Sequence, residues 1–477
     1  MIEIKNLSFR YAGNDMGMLK DVSLSIEKGE CVLLCGRSGC GKTSILRLIN
    51  GLIPDYFDGE FTGTVTYDGK SIPDMEMYER SRLVGSVFQN PRTQFFNVDT
   101  DSEIAFGMEN LGLDRENMLS RMEDATENLR LESLRGRCIF ELSGGEKQRI
   151  AFASVYAMNP EVYLLDEPSS NLDAVSIREL KHQLEVIKAQ GKTIIISDHR
   201  LYCLMDIVDK IVYLENGKIQ RIFYPEEFCN LHEEERTNMG LRSTKELELK
   251  NISKENSRNI KPAIELKNVT ISRGKRILLR NINFSANVGD IVGIVGENGV
   301  GKSTFLRTIC GLHKDYSGQL ILNGVKATKK QLNNICYMVM QDVNYELFAE
   351  SVKAECSLGL NHVNDEMVEE VLKKLDLNAY KQRHPNTLSG GQKQRLAVGV
   401  AKIGQKKLLV FDEPTSGLDY DSMMRIVDLI KEVSSHAVVL VVTHDVEFAN
   451  TCCTNIVELR KEENNEGKIN SFAFKMG

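Results

Sequence analysis

Residues 32–52 read VLLCGRSGCGKTSILRLINGL, and residues 292–312 read VGIVGENGVGKSTFLRTICGL. Each opens as a short apolar run suited to a buried strand, turns through glycines, and continues as a helix. Gly36, Arg37, Ser38, Gly39, Cys40, Gly41, Lys42 and Thr43 fit G-x-x-x-x-G-K-[ST], with Ser44 next in line. Gly296, Glu297, Asn298, Gly299, Val300, Gly301, Lys302 and Ser303 fit it again, followed by Thr304. Glycines at these places let the backbone wrap phosphates with its N–H groups pointing inward, and a helix N-terminus adds a favourable partial charge. Lys42 and Lys302 are expected to reach the β- and γ-phosphates of a nucleotide, and Thr43 and Ser303 to place a hydroxyl on Mg²⁺.

The rest of the chain repeats with them. ELSGGEKQRIAFA (141–153) returns as TLSGGQKQRLAVG (387–399), and YLLDEPSSNLD (163–173) as LVFDEPTSGLD (409–419). Lys42 and Lys302 lie 260 residues apart, Ser143 and Ser389 246, Asp166 and Asp412 246, and His199 and His444 245. The same order at nearly the same spacing is the mark of a duplication. Between the halves, residues 233–261 are polar, charged and poor in aromatics, which suits a linker that need not pack. AIELKNVTISRG (263–274) then restarts the pattern of MIEIKNLSFRYAG (1–13). The expected domains are therefore 1–230, a linker at 231–261, and 262–477. Short apolar strands alternate with helical segments in each half, the signature of a largely parallel α/β sheet.

Asp166 and Asp412 end apolar strands, where a carboxylate can hold Mg²⁺ as the second acidic part of a phosphoryl-transfer site. Glu167 and Glu413 follow immediately and are placed to act as general bases that orient an attacking water.

Composition narrows the setting. The 477 residues are 42% hydrophobic and 27% charged, the balance of a globular chain, with a formal net charge of −7 that argues against nucleic acid as partner. No run reaches the ~18 apolar residues of a membrane helix. The first residues lack the basic start and apolar core of a signal peptide, so a cytoplasmic location is expected. The 11 cysteines are scattered without a CxxC pair and read as reduced thiols.

The phosphate loop, then LSGGEKQR (142–149), then LLDEPSSNLD (164–173), then a strand ending in SDH (197–199) together resemble the ATP-binding-cassette ATPases. The resemblance covers the chain apart from its linker and C-terminal tail. It implies two tandem P-loop NTPase domains, each with a RecA-like α/β core, an N-terminal antiparallel β portion and a helical subdomain. It also implies ATP and Mg²⁺ as ligands. In such ATPases two cassettes pair head to tail, here within one chain. By that logic Ser143, Gly144 and Gly145 complete the site built on Lys302, and Ser389, Gly390 and Gly391 the site built on Lys42. Gln89 and Gln341 look like the glutamines that sense Mg²⁺ and water. His199 and His444 look like switch histidines at the γ-phosphate, and Asp173 and Asp419 like aspartates that communicate across the pair. Tyr11 fits the aromatic that stacks on adenine, whereas Arg273 stands in its place in the second half. Both sites are expected to hydrolyse ATP.

A chromosome-maintenance ATPase would need a long coiled coil where 101–131 is far too short. A soluble twin-cassette ATPase acting on ribosomes typically carries a long charged insert or an iron–sulfur cluster; neither pattern is written here. VGSVFQNPRTQFFNVDTDSEIAFGMEN (84–110) and VMQDVNYELFAESVKAE (339–355) resemble the ATPases of energy-coupling-factor importers. These take up vitamins, vitamin precursors or transition-metal ions through an integral membrane coupling protein and a small substrate-binding membrane protein. The resemblance implies a peripheral place on the cytoplasmic face of the membrane. Tandem ATPases of sugar importers are the nearest alternative, and a soluble twin-cassette ATPase acting on ribosomes is the other. Phe88, Phe95, Phe96, Leu347 and Phe348 are candidates either for the grooves that grip the coupling protein or for the interior of each cassette.

Overall fold

The computed structural model describes all residues except 13–17, 171, 251–260, 361–362, 464–468 and 477, and it describes 460–463 and 469–476 by backbone alone. The chain forms two compact units, Met1–Glu246 with Asp419–Asp421, and Leu247–Leu418 with Ser422–Gly477. Each is α/β.

In the first unit, alternating burial along Ile2–Tyr11 and Leu19–Ile26 produces a sheet with one wet face. These strands join Gly59–Tyr67 and Lys70–Ser71 in an antiparallel sheet. The second sheet runs Lys218–Phe223, Lys210–Glu215, Cys31–Gly36, Thr193–Ser197, Val162–Asp166 and Val84–Val87 in spatial order. All neighbours are parallel except the first pair. Cys31–Gly36 and Thr193–Ser197 are buried at every residue, as strands covered on both faces must be. The helices Thr100–Asn110, Arg115–Asn128 and Gly144–Met158 pack together beside this core.

The second unit repeats the plan. Its antiparallel sheet orders Arg276–Ala286, Ile264–Arg273, Tyr316–Leu322 and Val325–Lys326. Its larger sheet orders Cys336–Val339, Leu408–Asp412, Val438–Val442, Ile291–Val295, Asn455–Glu463 and Ile469–Met476, with only the last pair antiparallel. The phosphate loop, Gln89, Asp166 and His199, and their counterparts in the second unit, therefore end or follow strands along one carboxyl edge of each parallel sheet, the edge where α/β folds bind ligands.

The expected linker begins as folded structure. Glu233–Asn238 is a helix, and Arg236 and Leu241 are buried. The Arg236 guanidinium donates to the Leu241 carbonyl at 2.7 Å, so a polar stretch packs by satisfying its own backbone. Residues 251–260 of the linker, and 464–468 and 477 of the tail, lie outside the described residues.

Candidate functional site

The site in the first unit starts from the loop after Cys31–Gly36. Gly36 has φ 141°, and a Cβ there would lie 2.2 Å from the Leu214 carbonyl oxygen on the neighbouring strand. Only glycine lets the loop leave the sheet at this point. Gly41, at φ 109°, opens the helix Lys42–Ile49 with no side-chain cap, so its first N–H groups stay available to an anion. The buried Lys42 folds back, and its Nζ donates to the carbonyls of Gly36 at 3.0 Å and Arg37 at 3.2 Å.

Sheet register brings the acidic groups alongside. Asp166 pairs with Ser197, and Leu34 pairs with Ser197 from the other side. Thr43 Oγ1 donates to Asp166 Oδ1 at 3.2 Å, a hydroxyl and a carboxylate together as a divalent cation requires. Glu167 holds a left-handed backbone, φ 49°, fixed where its N–H donates to the Ser197 carbonyl at 2.7 Å. A non-glycine residue held this way is stored strain of the kind found at functional sites. Gln89 Nε2 donates to Glu167 Oε2 at 2.6 Å, and His199 Nε2 lies 3.7 Å from Glu167 Oε1. Burial and the neighbouring Asp166 push the Glu167 carboxyl up to about 8. Burial and the Lys42 charge push the His199 imidazole down to about 3, so it is neutral, and its Nε2 has no hydrogen-bond partner.

The second unit assembles the same parts. Gly296 has φ 145°, and a Cβ there would lie 2.3 Å from the Leu459 carbonyl oxygen. Lys302 Nζ donates to the carbonyls of Gly296 at 2.6 Å and Glu297 at 2.9 Å. Burial raises the Asp412 carboxyl, and a hydrogen bond from Ser303 opposes the shift. Glu413 is left-handed at φ 53°, and its N–H donates to the Val442 carbonyl at 2.9 Å. Here His444 Nε2 sits 2.9 Å from both Lys302 Nζ and Asn298 Oδ1. Among the described residues no hydrogen bond joins Gln341 to Glu413, unlike Gln89 and Glu167 in the first unit.

Ser143 and Ser389 each begin a long helix with a capping box. Ser143 Oγ accepts from the Glu146 N–H at 3.3 Å, and Ser389 Oγ accepts from the Gln392 N–H at 3.3 Å. An accepting hydroxyl keeps its own proton for a further acceptor, so capping leaves each serine able to donate to an anion. Gly144, Gly145, Gly390 and Gly391 follow in the first turn of each helix. Asp173 caps the helix Ala174–Ala189 by accepting from the Ser176 N–H at 2.8 Å. Tyr11 sits in an aromatic cluster, 4.6 Å from Phe9 and 6.2 Å from Phe57 between ring centroids. Its hydroxyl accepts from Ser44 at 3.2 Å and Arg47 at 3.0 Å, which ties the ring to the phosphate-loop helix. Arg273 instead ends its strand opposite Arg276 in a hairpin and is exposed.

The hydrophobic candidates divide. Leu347 is buried, Phe95 packs against the core, Phe88 is only just exposed, and Phe96 and Phe348 are 74% and 71% exposed. Two buried glutamates fix the backbone at the last two. Glu103 Oε2 accepts from the Phe96 and Asn97 N–H groups at 3.0 and 2.8 Å. Glu355 Oε2 accepts from the Phe348 and Ala349 N–H groups, both at 2.7 Å.

Sequence reasoning gave no role to Asp198 or Asp445. Asp198 Oδ1 accepts from Ser169 Oγ at 2.7 Å and from the N–H groups of His199 and Arg200 at 2.7 and 2.9 Å, while Oδ2 accepts from the Ser169 N–H at 3.1 Å. Asp445 Oδ2 accepts from Thr415 Oγ1 at 2.9 Å. Each ties the loop after the glutamate to the loop of the histidine. A carboxylate beside each histidine was the available signal.

Comparison with known proteins agrees with this geometry. A family model described as "ABC transporter" matches residues 19–170 and again 279–416. A Treponema denticola protein provisionally named as an ABC transporter ATP-binding protein is 49% identical, with 96% of this chain aligned to 95% of it. YkoD of Bacillus subtilis, provisionally named as an HMP/thiamine import ATP-binding protein, is 30% identical, with 96% of this chain aligned to 90% of it. An archaeal ribosome recycling factor, solved with ribosomal stalk protein aP1, superimposes with a TM-score of 0.63 over 98% of this chain and 89% of that one. At 22% identity that likeness is one of fold.

Proposed function

The chain belongs to the ABC transporter family of ATPases, and we propose that it is the energising subunit of an energy-coupling-factor importer for a vitamin, a vitamin precursor or a transition-metal ion. The observation that carries this reading is the repeated display of Phe96 and Phe348. Each is exposed on a loop whose backbone a buried glutamate fixes, seven residues beyond Gln89 and Gln341 respectively. Exposed aromatics on a fixed loop suit the helices of an integral membrane coupling protein, which a small substrate-binding membrane protein would accompany. Among the described residues no helix is long and apolar enough to cross a membrane, in keeping with a peripheral place on the cytoplasmic face. The full-length likeness to an import ATPase supports the cargo class.

The residues fit Mg·ATP. Gly36 and Gly296 take positive-φ turns that a Cβ would block against the neighbouring strand, Lys42 and Lys302 are buried within their loops, and a hydroxyl lies beside a carboxylate in Thr43 and Asp166. Thr43 and Asp166, with Gln89, would hold Mg²⁺ in the first site, and Ser303, Asp412 and Gln341 in the second. When bound, the cation would supply positive charge to the phosphates. Lys42 and Lys302 leave their carbonyl partners for the β- and γ-phosphates. Glu167 and Glu413 orient the attacking water, and His199 and His444 contact the γ-phosphate. Ser143, Gly144 and Gly145 close the Lys302 site, and Ser389, Gly390 and Gly391 the Lys42 site. ATP draws the halves together, hydrolysis releases them, and the membrane partner converts that motion into substrate release.

Affinity purification of tagged protein in mild detergent tests the importer reading. Recovery of a multi-span coupling protein with a small membrane protein is expected. Recovery of ribosomes without membrane protein would refute it and leave the ATPase chemistry standing. Ser143→Arg and Ser389→Arg should each impair nucleotide trapping at the opposite cassette; an effect confined to its own cassette would refute head-to-tail pairing. Both sites are proposed to hydrolyse, so an unchanged rate in Glu413→Gln beside abolition in Glu167→Gln would end that claim.

A further inference from the structure

The two switch loops are wired differently. Asp166 pairs with Ser197, and Asp412 pairs with Val442, so register places Thr443 where the first unit has Asp198 and Asp445 where it has Arg200. The carboxylate has changed sides of the histidine. In the second unit Asp445 ties Thr415 and also accepts from the Phe448 N–H at 3.1 Å, capping the helix Val446–Cys452. In the first unit the carboxylate comes before the histidine, and the segment after it is a short 3-10 turn, Leu201–Cys203, without a side-chain cap. The position freed by the exchange holds Arg200, whose guanidinium donates to the Leu172 carbonyl at 2.8 Å.

We propose that Arg200 is a positioning residue that locks the His199 loop to the loop carrying Asp173, a link that Asp445, standing in its place in the second cassette, cannot make with its side chain. A carboxylate at position 445 only accepts hydrogen bonds and cannot grip a backbone carbonyl. The first unit thus ties these loops both at Asp198 to Ser169 and at Arg200 to Leu172. Leu172 is buried and precedes Asp173, which caps the helix Ala174–Ala189. A displacement of His199 is passed to Asp173 through two anchored points in the first cassette. In the second cassette the Asp445 carboxylate takes its tie to Thr415 instead. Resting on the head-to-tail reading, this makes the two ATP sites unequal in how strongly each informs the other.

The test is steady-state ATPase activity of the full chain against ATP concentration, for wild type, Arg200→Ala and Arg200→Lys. Arg200→Ala should lower kcat about tenfold, the loss expected of one charged hydrogen bond, with KM changed less than about twofold. Arg200→Lys keeps a donor and the aliphatic stem, should recover most of the rate, and keeps the idea testable should the alanine variant unfold. An unchanged kcat, a loss expressed in KM, or an equal loss in Arg200→Lys would overturn the proposal. The serine-to-arginine variants separate it from the pairing on which it rests. If they act across cassettes while Arg200→Ala is silent, the inference fails and the pairing stands. If Arg200→Ala loses kcat and the serine variants act only on their own cassettes, the unequal coupling falls with the pairing, and the tie within the first cassette stands.

Discussion

Replacing Asp198 by alanine should destabilise the first unit severely. The residue is 2% exposed and receives four hydrogen bonds, from the Ser169 hydroxyl and the N–H groups of Ser169, His199 and Arg200. Alanine orphans all four donors in a buried place. Each orphan costs roughly 1–3 kcal/mol, and water entering the vacated volume recovers part of it. Burial of the carboxylate, which pushes its pKa up, is a cost that the substitution relieves. The net expectation is about 3–5 kcal/mol, a large share of the ~5–15 kcal/mol that holds an ordinary domain. Asparagine makes a sharper comparison. Its Oδ1 can keep the three bonds now made to Oδ1, and only the Ser169 N–H would meet a donor. Asp198→Asn should therefore lose about 1–2 kcal/mol. Urea unfolding gives the magnitude, and hydrogen exchange of the segments around Ser169 and His199 locates it. ATPase activity should fall in the same order, alanine below asparagine. A loss under about 1 kcal/mol for Asp198→Ala, or equal losses for the two variants, would show that the four bonds do not anchor these loops.

Other expectations are more local. Gly36→Ala and Gly296→Ala put a Cβ 2.2 and 2.3 Å from backbone oxygens at positive φ, so both should abolish nucleotide binding measured by fluorescent ATP titration; retained affinity would refute the steric account. The His199 imidazole, held down to about 3, should show no NMR titration between pH 5 and pH 8 in the nucleotide-free chain. Because its folded pKa lies below its unfolded value, its share of stability is present above about pH 6.5 and is lost as pH falls towards 3. A midpoint near 6.5 would mean that the site is open to water. Phe96→Asp and Phe348→Asp should leave basal ATPase within about twofold, because both rings are exposed, and should weaken co-purification of the membrane partner; unaltered co-purification would move the docking surface elsewhere.

Some of this protein is written locally. A phosphate loop needs a strand, three glycines, a lysine and a hydroxyl in one continuous run, so its chemistry could be read from residues 36–43 and 296–303 directly. The duplication could be read the same way, because it needs only order and spacing. Serines 143 and 389 announce helix starts by a capping box confined to four residues each. Other features needed the fold. Gln89 reaches Glu167 across 78 residues of chain, and Gln341 makes no matching bond to Glu413 among the described residues, although both glutamines stand in the same motif. Phe96 and Leu347 are both apolar and adjacent to equivalent loops, yet one is exposed and the other buried. Hydrophobicity says that a side chain prefers burial, while packing decides which one finds room. The exchange of Asp198 for Asp445 is the clearest case. The sequence shows an aspartate before one histidine (SDHR, 197–200) and after the other (THD, 443–445), and only the fold shows that both reach the loop after the glutamate, at Ser169 and at Thr415. Register is set by pairing between strands far apart in the chain, and a hydrogen bond between loops depends on that pairing. The sequence therefore determined which chemistry each half carries, and the tertiary structure decided how each half holds it.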